Sequence, residues 1–239
     1  MGRYYFIWNG VDCGAMGITL QSPIPLIRPE ERITHVTIPG RSGDLTQLEG
    51  EDVFNSYIQT ALIQVRGAYR MREVYSWLKG SGLVTFHNDP EKQQRARVIG
   101  AVTLAKFSPN LDVWTGECQF YCEPYKSEIF ETPVTVSSSG SSVFNNGDVQ
   151  ALPKLTVTCS ANANTSITIG GKTFGVNLTG TGLTGYILDS EAQIVTSLDG
   201  NTNLTSKMTG EFPTLALGAN AVTWSSVTRI VFDRRVRYL

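Results

Sequence analysis

The two histidines are the first residues to test for catalysis, because nucleophilic catalysis needs a base beside a Ser or Cys nucleophile. His35 falls on a predicted strand and His87 in a predicted turn. Neither has a Ser or Cys beside it in the chain. The spacing leaves open a triad assembled by folding, but it favours structural roles for both histidines. The sequence therefore predicts no catalytic residue.

Asp189 and Glu191, two residues apart, are a candidate pair of carboxylates for acid–base chemistry. On a strand they would share a face, and a glycosidase needs two carboxylates about 5–10 Å apart across a sugar-sized cleft. Neighbouring acids of this kind are common at strand ends. We therefore interpret the pair as structural.

The four cysteines, Cys13, Cys118, Cys122 and Cys159, match no zinc-binding spacing. Cys118 and Cys122 lie on one predicted strand, about 13 Å apart, which is too far for a disulfide. The sequence predicts reduced thiols and no metal site.

Two glycine-containing stretches formally resemble cofactor or ion loops. Gly180–Gly185 fits the dinucleotide pattern G-x-G-x-x-G, but a strand follows it where that pattern needs a helix. Asp199–Asn203 opens like a calcium loop, but Leu204 stands where the loop needs Gly, and Gly210 where it needs Glu. Both are interpreted as polar turns, so no cofactor is expected.

Composition excludes several classes of partner. The 239 residues carry a net charge of −1 and a pI near 6.1, which disfavours nucleic acid or an anionic membrane as a main partner. No apolar run approaches the roughly 18 residues that a membrane span needs. The basic cluster Arg234–Arg237 is interpreted as a local salt-bridging edge.

The chain changes character across the small-residue run Ser137–Ser142. Before it lie 13 of the 20 Lys and Arg and 15 of the 21 Asp and Glu. After it, Ser, Thr, Asn and Gly make up roughly 45% of residues, against roughly 24% before. We predict two domains, residues 1–131 and 132–239, joined by a semi-rigid crossover at Pro124–Pro133. Ser137–Ser142 is then expected to be the tip of a hairpin-like loop inside the second domain.

The first domain is predicted to be mostly strands with one helix, Tyr69–Lys79. Its apolar stripe consists of Met71, Val74, Tyr75 and Leu78, and Gly80 ends it. Asn9-Gly10 predicts a tight hairpin. Pro23–Pro29 predicts an extended arm outside the sheet.

The second domain shows short predicted strands at roughly 8–12 residue spacing and no amphipathic helix, a pattern typical of a β-sandwich. The predicted fold is therefore mainly β, a sheet or barrel-like domain with one helix followed by a sandwich. The predicted strands of the second domain are Lys154–Ser160, Ser166–Ile169, Lys172–Val176, Gly185–Leu188, Gln193–Ser197, Asn220–Ser225 and Val227–Asp233.

Landmarks in a consistent order run through nearly the whole chain. They are the turn Ile38–Asp44, the helix ending Trp77-Leu78, the strand Cys118–Pro124, the segment Asn146–Asp148 followed by Pro153-Lys-Leu155, Leu188–Glu191, and Phe212–Asn220 before the Arg-rich end. Taken together, the chain resembles the distal tail proteins of long-tailed, non-contractile bacteriophages or related prophages.

The resemblance implies a structural hub of the phage tail tip and no enzyme. Six copies are expected to form a ring that joins the tail tube to the baseplate or tail-fibre proteins and leaves a channel through which DNA passes without specific binding. The first domain would build the ring, and a galectin-like or carbohydrate-module-like sandwich would project from it. The expected location is the virion tail tip, assembled in the cytoplasm of the host bacterium.

The turn Gly40–Asp44 is the predicted partner contact, through Arg41, Ser42, Gly43 and Asp44. Its two glycines and its neighbouring opposite charges suit a projecting turn at a ring interface. An ordinary surface turn remains an equal alternative.

The alternative function is a carbohydrate-binding module or adhesin that recognises a host-surface glycan. Such sites stack aromatic side chains on the sugar face. The second domain offers few candidates: Phe144, Phe174, Tyr186, Phe212, Trp224, Phe232 and Tyr238. Most of them fall at positions that predict core.

Overall fold

The computed structural model describes residues 3–239 and divides the chain into two compact units. The first unit runs to Ile129 and includes Leu239, and the second is Phe130–Tyr238. The predicted division into domains 1–131 and 132–239 stays a prediction.

The first unit contains nine strands and one short α-helix in its described residues. A single 3₁₀ turn, Ala68–Arg70, leads into the helix. The elements are β1 (Phe6–Trp8), β2 (Val11–Asp12), β3 (Ile18–Leu20), β4 (Ile33–Val36), β5 (Leu45–Leu48), β6 (Tyr57–Arg66), α1 (Met71–Trp77), β7 (Ser81–Phe86), β8 (Lys92–Ser108) and β9 (Leu111–Glu128).

Seven of these strands form one antiparallel sheet in the order β2-β1-β7-β8-β9-β6-β3. The alternation of side chains along each strand explains why one face of the sheet is buried and the other is not. On β6, Ala61, Ile63 and Val65 are fully buried, whereas Leu62 and Gln64 between them face away from the core. The sheet therefore has one core face and one open face. Strands β4 and β5 form a separate two-stranded sheet.

Helix α1 covers the core face through few residues. Val74 is fully buried, and Leu78 directly after the helix is nearly so. The Trp77 ring stacks on Phe6 at 5.8 Å between centroids, and the Trp8 indole donates to the Trp77 carbonyl at 3.2 Å. These contacts hold the helix against strand β1.

The helix is shorter than the predicted Tyr69–Lys79. It ends at Trp77 because Leu78 leaves the helical region and the chain turns through Gly80, at φ +75°, into β7. Tyr75, predicted on the apolar stripe, is 42% exposed. Two buried positions are enough to anchor a helix of seven residues.

Asp112 ties the beginning of β9 to the helical segment. Its two carboxylate oxygens accept from the Ala68 amide at 3.0 and 3.1 Å, and its carbonyl accepts from the Gly67 amide at 3.0 Å. The Trp114 indole also donates to the Asp112 carboxylate, at 3.1 Å. Asp112 therefore accepts hydrogen bonds from two backbone amides at the start of the helical segment, those of Gly67 and Ala68.

The second unit is a sandwich of two five-stranded antiparallel sheets, in the orders β10-β19-β12-β15-β16 and β11-β18-β13-β14-β17. Its strands are β10 (Val134–Val136), β11 (Ser141–Asn145), β12 (Lys154–Cys159), β13 (Ser166–Ile169), β14 (Lys172–Val176), β15 (Gly185–Asp189), β16 (Ile194–Ser197), β17 (Met208–Thr209), β18 (Gly218–Ser225) and β19 (Val227–Asp233).

The sandwich has a core of its own. Strand β12 turns Leu155, Val157 and Cys159 inward, and Tyr186 and Phe232 are fully buried beside them. The prediction of a mainly β chain, with one helix in the first half and a sandwich in the second, is confirmed. The galectin-like character of the sandwich stays a prediction.

The Ser-rich run is not a hairpin tip. Strand β10 pairs with β19 in one sheet, and β11 pairs with β18 in the other. Ser137–Gly140 therefore crosses between the sheets, and β11 already begins at Ser141. The prediction was wrong because sheet membership depends on distant partners that six small residues do not encode.

Candidate assembly interface

The two histidines lie in structural surroundings. His35 is exposed on β4 and its Nδ1 lies 3.5 Å from the Thr46 hydroxyl. His87 packs against the rings of Tyr4 and Tyr5, with centroids 5.0 and 6.3 Å away. Of these contacts only the Thr46 hydroxyl is a group that a histidine base could activate, and it and His35 both lie exposed on a two-stranded sheet.

All four cysteines are free and buried. Burial raises the pKa of each thiol, to about 12 for Cys118 and Cys122. A thiol with so high a pKa stays protonated at neutral pH and is a poor nucleophile and metal ligand. Within residues 3–239, no three His, Cys, Asp or Glu residues are grouped as a metal site would require.

Asp189 and Glu191 meet one guanidinium instead of flanking a cleft. Arg235 binds both Asp189 oxygens at 2.7 and 2.9 Å and Glu191 at 3.1 Å. Its Nε also lies 3.8 Å from Asp233. Asp189 ends β15, so Glu191 lies in the following turn and the two acids do not share a strand face as predicted. The arrangement is a salt bridge.

Electrostatics agree with this assignment. Burial alone would raise the pKa of the Asp189 carboxyl, but hydrogen bonds from Arg235 and from the Ala192 amide lower that pKa below its ordinary value. The carboxyl therefore stays charged at neutral pH. Arg234 pairs with Glu131 at 3.2 Å. The predicted salt-bridging role of the C-terminal basic cluster is confirmed.

The two glycine-containing stretches are turns. Gly180 and Gly182 adopt positive φ, and the chain enters strand β15 at Gly185, with no helix for a pyrophosphate. The Asp199 carboxylate accepts hydrogen bonds from the Ser197 hydroxyl and from Asn201, which lower its pKa. Its oxygens thus hold a hairpin turn together.

Only one of the seven aromatic residues considered for a glycan platform is exposed. Phe144 on β11 is 59% exposed beside Ala219 of β18. Phe212 and Trp224 are half-buried against the core. The other four are buried: Phe174, Tyr186, Phe232 and Tyr238. A single ring offers little stacking surface for a sugar.

The predicted partner-contact residues lie at the tip of a projecting ribbon, which we define as residues 33–48, strands β4 and β5 with their turn. Arg41, Ser42, Gly43 and Asp44 are all exposed there. The turn is closed by the Thr37 hydroxyl, which donates to Asp44 at 2.8 Å. Gly40 and Gly43 adopt φ near +80° without any side chain nearby.

The ribbon exposes apolar side chains on both of its faces. Opposite residues of an antiparallel pair share a face, so the pair Val36–Leu45 lies on one face and Ile33–Leu48 on the other. Val36, Leu45 and Leu48 are 40, 44 and 59% exposed. A two-stranded hairpin is marginally stable alone, so these exposed apolar side chains make the ribbon a candidate interaction surface. The sequence patterns did not predict strand β5. Its pattern Leu-Thr-Gln-Leu places the two leucines on opposite faces.

A second unpartnered feature is the outer edge of β8. Strand β7 pairs with β8 only as far as Arg97, and the Val98 amide makes the last bond on that side, to Gly80. Among the described residues, no strand pairs with this edge from Ile99 to Ser108, a stretch interrupted by a bulge at Gly100. An open strand edge is a template for pairing with another chain.

Where β7 no longer pairs with β8, four strands of the first sheet remain, with β8 open on one side and β3 last on the other, where the Ile18 amide donates to the Cys13 carbonyl. There β8, β9, β6 and β3 lie side by side, with β8 outermost on one side and β3 on the other. The register runs Ala105–Thr115–Gln64–Thr19 across all four strands. We call this four-stranded part the distal sheet. Its two edges sit on opposite sides, as a head-to-tail contact requires.

Solved structures share this fold along the entire chain. The SPP1 Dit protein, a paradigm of the hub adsorption apparatus in phages that infect Gram-positive bacteria, aligns with a TM-score of 0.79 at 15% identity, covering 100% of both chains. A chain of the phage P2 baseplate in its activated conformation with Ca aligns with a TM-score of 0.50 at 8% identity, covering 97% of each. No protein-family model and no curated protein sequence matches the chain. The expected distal-tail fold is confirmed.

Proposed function

We propose that the protein is the structural hub of a phage tail tip, forming a ring that joins the tail tube to baseplate or tail-fibre proteins. The observation that carries this proposal is the end-to-end match with a hub adsorption protein, because the match spans both units of the chain. The proposed location is the virion, with assembly in the cytoplasm of the host bacterium.

The two outer edges of the distal sheet support ring assembly. Pairing the β8 edge of one copy with the β3 edge of the next is a heterologous contact, which closes into a ring when the rotation allows it. Closure covers the open β8 edge. We propose a hexamer on the resemblance to distal tail proteins, with a central channel through which DNA passes.

The ribbon is the second proposed contact between copies. Its exposed apolar pairs would be covered by a neighbouring subunit, and Arg41 and Asp44 at its tip would form polar contacts at the rim of that interface. Replacing both by Ala should weaken the ring measurably, while Glu211→Ala in the second unit, also exposed, should leave it unchanged. Unaltered assembly of the double variant would remove these residues from the interface.

No enzymatic step is part of this function. The charged groups that could have supplied one are engaged in salt bridges and turns, as with Asp189, Glu191 and Asp199. The proposed work of the protein is done by shape and by contacts to other chains. The described residues contain no helix long and apolar enough to cross a membrane.

Light scattering coupled to size exclusion tests the ring directly, together with negative-stain micrographs of the same fractions. We expect a discrete oligomer near six times the 26.2 kDa chain mass, with a visible central hole. Purified tail-tube protein should be added to any fraction that stays monomeric. A protein that remains monomeric at high concentration, both alone and with the tube protein, would overturn the proposal.

Glycan binding by the sandwich is the second candidate function, and only exposed Phe144 favours it. A glycan array probed with the full chain and with Phe144→Ala separates the two functions. Signal that the substitution abolishes would support an adhesin role in addition to the hub. A flat response by the unmodified protein would eliminate glycan binding.

A further inference from the structure

The core face of the first sheet becomes polar at the beginning of β6. The inward positions of this strand are apolar from Ala61 onward, but the inward position before them is Gln59, which is only 2% exposed. Gln94 on β8 and Lys126 on β9 are also buried, and they lie opposite each other in the register. We call this group the polar corner, and its members are Tyr57, Gln59, Asp89, Gln94 and Lys126.

Hydrogen bonds and an ion pair join most members of the polar corner. The Tyr57 hydroxyl donates to the Gln94 side-chain oxygen at 3.0 Å, and the Gln94 amide nitrogen donates to the Glu123 carbonyl. The Lys126 ammonium lies 3.4 Å from an Asp89 carboxylate oxygen. Burial raises the pKa of Tyr57 to about 12, so its hydroxyl keeps the donated proton at neutral pH. These groups therefore satisfy one another.

The side-chain nitrogen of Gln59 is the exception within the polar corner. It is buried, and no group in residues 3–239 accepts a hydrogen bond from it. A buried amide that has given up its contact with bulk water without gaining a partner destabilises the folded state. The polar corner thus contains one donor that calls for an acceptor from outside the chain.

A small cavity lies against Gln59. Its volume is about 10 Å³, and Tyr57, Asp89 and Lys126 are among the residues that line it. About 10–15 Å³ is the space that one water molecule needs, so an organic ligand does not fit. The cavity therefore has the size of a single solvent molecule and a wall rich in polar groups.

Water is the ligand whose hydrogen bonding suits this wall. A buried water typically makes about three hydrogen bonds, as donor and as acceptor. Gln59 supplies a donor, while the Tyr57 oxygen and the Asp89 carboxylate retain lone pairs that can accept. A metal cation would instead face the Gln59 N–H and the Lys126 ammonium, both of which repel positive charge.

The opposite wall of the cavity belongs to the arm, which we define as residues 23–29. This segment lies outside the sheet and connects β3 to the ribbon. Residues 25–27 line the cavity. Among the described residues, one hydrogen bond reaches the arm, from the Asn88 side-chain nitrogen to the Ile24 carbonyl at 3.0 Å. A molecule held in the cavity therefore sits between the sheet and a segment with few polar ties of its own.

We propose that the cavity binds one water molecule, which accepts a hydrogen bond from the Gln59 side-chain nitrogen and helps to hold the arm against the sheet. The site is complete within a single copy of the chain. Its test therefore does not depend on ring formation, and its failure would leave the proposed hub function untouched.

A crystal structure of the full chain at about 1.8 Å or better tests the site directly. We expect a solvent peak in the cavity about 2.7–3.2 Å from the Gln59 side-chain nitrogen. In crystals of Gln59→Met the peak should be lost, because the methionine thioether offers no donor. A cavity without a solvent peak in the unmodified protein would overturn the proposal.

Urea unfolding of Gln59→Met gives a test whose sign differs between the two cases. If Gln59 binds water, the substitution removes a satisfied hydrogen bond, and we expect the midpoint to fall by at least about 0.3 M. If Gln59 has no partner, methionine removes an uncompensated buried amide, and the midpoint should rise. An unchanged or raised midpoint would therefore count against the site.

Gln64→Met is the matched control for unfolding, since Gln64 lies on the same strand with its side chain on the other face. Its midpoint should stay within about 0.1 M of the unmodified protein. Tryptophan fluorescence follows the transition, because Trp8, Trp77 and Trp114 all belong to the first unit. An equal fall in both variants would show that the loss at Gln59 is not specific to the cavity.

Hydrogen exchange tests the link to the arm. In Gln59→Met we expect the backbone amides of residues 24–28 to exchange at least about threefold faster than in the unmodified protein, because the arm is held less firmly. Gln64→Met should leave their exchange unchanged. Equal exchange of the arm in Gln59→Met and the unmodified protein would show that the water does not hold this segment.

Discussion

At the scale of single residues, Arg235 makes a bidentate salt bridge in the second unit. The guanidinium meets both oxygens of Asp189, and the side chains are 28 and 15% exposed. Hydrogen bonds to charged groups in such surroundings contribute more than neutral ones. The bridge links the end of β15 to the segment that follows β19.

We expect Arg235→Met to lower the free energy of unfolding by about 1.5–3 kcal/mol, because it leaves the Asp189 carboxylate half-buried without its partner. Glu191→Gln is the matched control. Glu191 is 47% exposed, so losing its pairing with Arg235 should lower the free energy of unfolding by less than about 0.5 kcal/mol. Thermal unfolding of the two variants measures the difference, and equal midpoints would contradict the assignment.

The pH dependence of stability follows from the same pair. The folded pKa of Asp189 lies below its ordinary value of 3.8, so the unfolded chain takes up this proton first as pH falls. The stabilisation is therefore fully present only above about pH 5, and it is lost progressively as pH falls through the ordinary value and then through the folded pKa. In the Arg235→Met variant the acid-induced loss of stability should be smaller. If the stability of the variant and of the unmodified protein fell with pH in the same way, Asp189 would not be the source of this pH dependence.

The cysteines should be inert in the folded protein. With pKa values raised by burial, to about 12 for Cys118 and Cys122, almost none of either thiol is ionised at pH 8. A chromogenic disulfide reagent should therefore react slowly with native protein and rapidly with all four thiols after unfolding. Rapid reaction of either residue in the native state would show that its strand opens readily.

At the scale of elements, Asp112 connects the long hairpin of β8 and β9 to the start of the helical segment. Asp112→Ala should lower the free energy of unfolding by about 0.5–2 kcal/mol, the range measured for lost helix caps, because the Ala68 amide loses its acceptor. Asp112→Asn keeps one side-chain oxygen and should recover most of that loss. Urea unfolding of the two variants tests the difference. If Asn is as destabilising as Ala, the effect comes from charge and not from the cap.

Local patterns were sufficient to predict most strands of the sandwich. Ser166–Ile169, Lys172–Val176 and Val227–Asp233 were predicted with their observed bounds, because alternating inward and outward residues mark them directly. Neither sheet assignment nor free edges could be predicted this way. The pairing of β10 with β19 joins Val134 to Phe232, far apart in sequence.

Only part of the candidate interface could be predicted from the sequence. The turn at Arg41–Asp44 was found through its glycines, which signal positive φ. Its apolar strand β5 was not, because Leu45 and Leu48 face opposite sides and give no single apolar stripe. The edge of β8 could not be identified from sequence, since an edge is defined by the strand that fails to pair with it.

At the scale of the whole molecule, the two units have separate cores. The core of the second unit is formed entirely by residues from Val136 to Phe232. We therefore expect the fragment Phe130–Tyr238 to fold alone, with an unfolding free energy of about 5–15 kcal/mol and a single cooperative transition. Circular dichroism during urea unfolding measures both.

Leu155→Ala within that fragment serves as the control. Because Leu155 is fully buried, the substitution should lower the free energy of unfolding by about 2–5 kcal/mol. A fragment that is soluble but unfolds without cooperativity would show that the sandwich depends on the first unit. The predicted division into domains would then be wrong as a statement about folding.

The unpaired edge of β8 also bears on how copies could polymerise. A head-to-tail contact closes only if each step turns by the correct angle, and otherwise it continues as an open helical filament. The bulge at Gly100 adds local twist to the strand that carries this edge. The irregular pairing between Ile99 and Thr103 in this long hairpin would then help to decide whether growth stops after one turn or continues without limit.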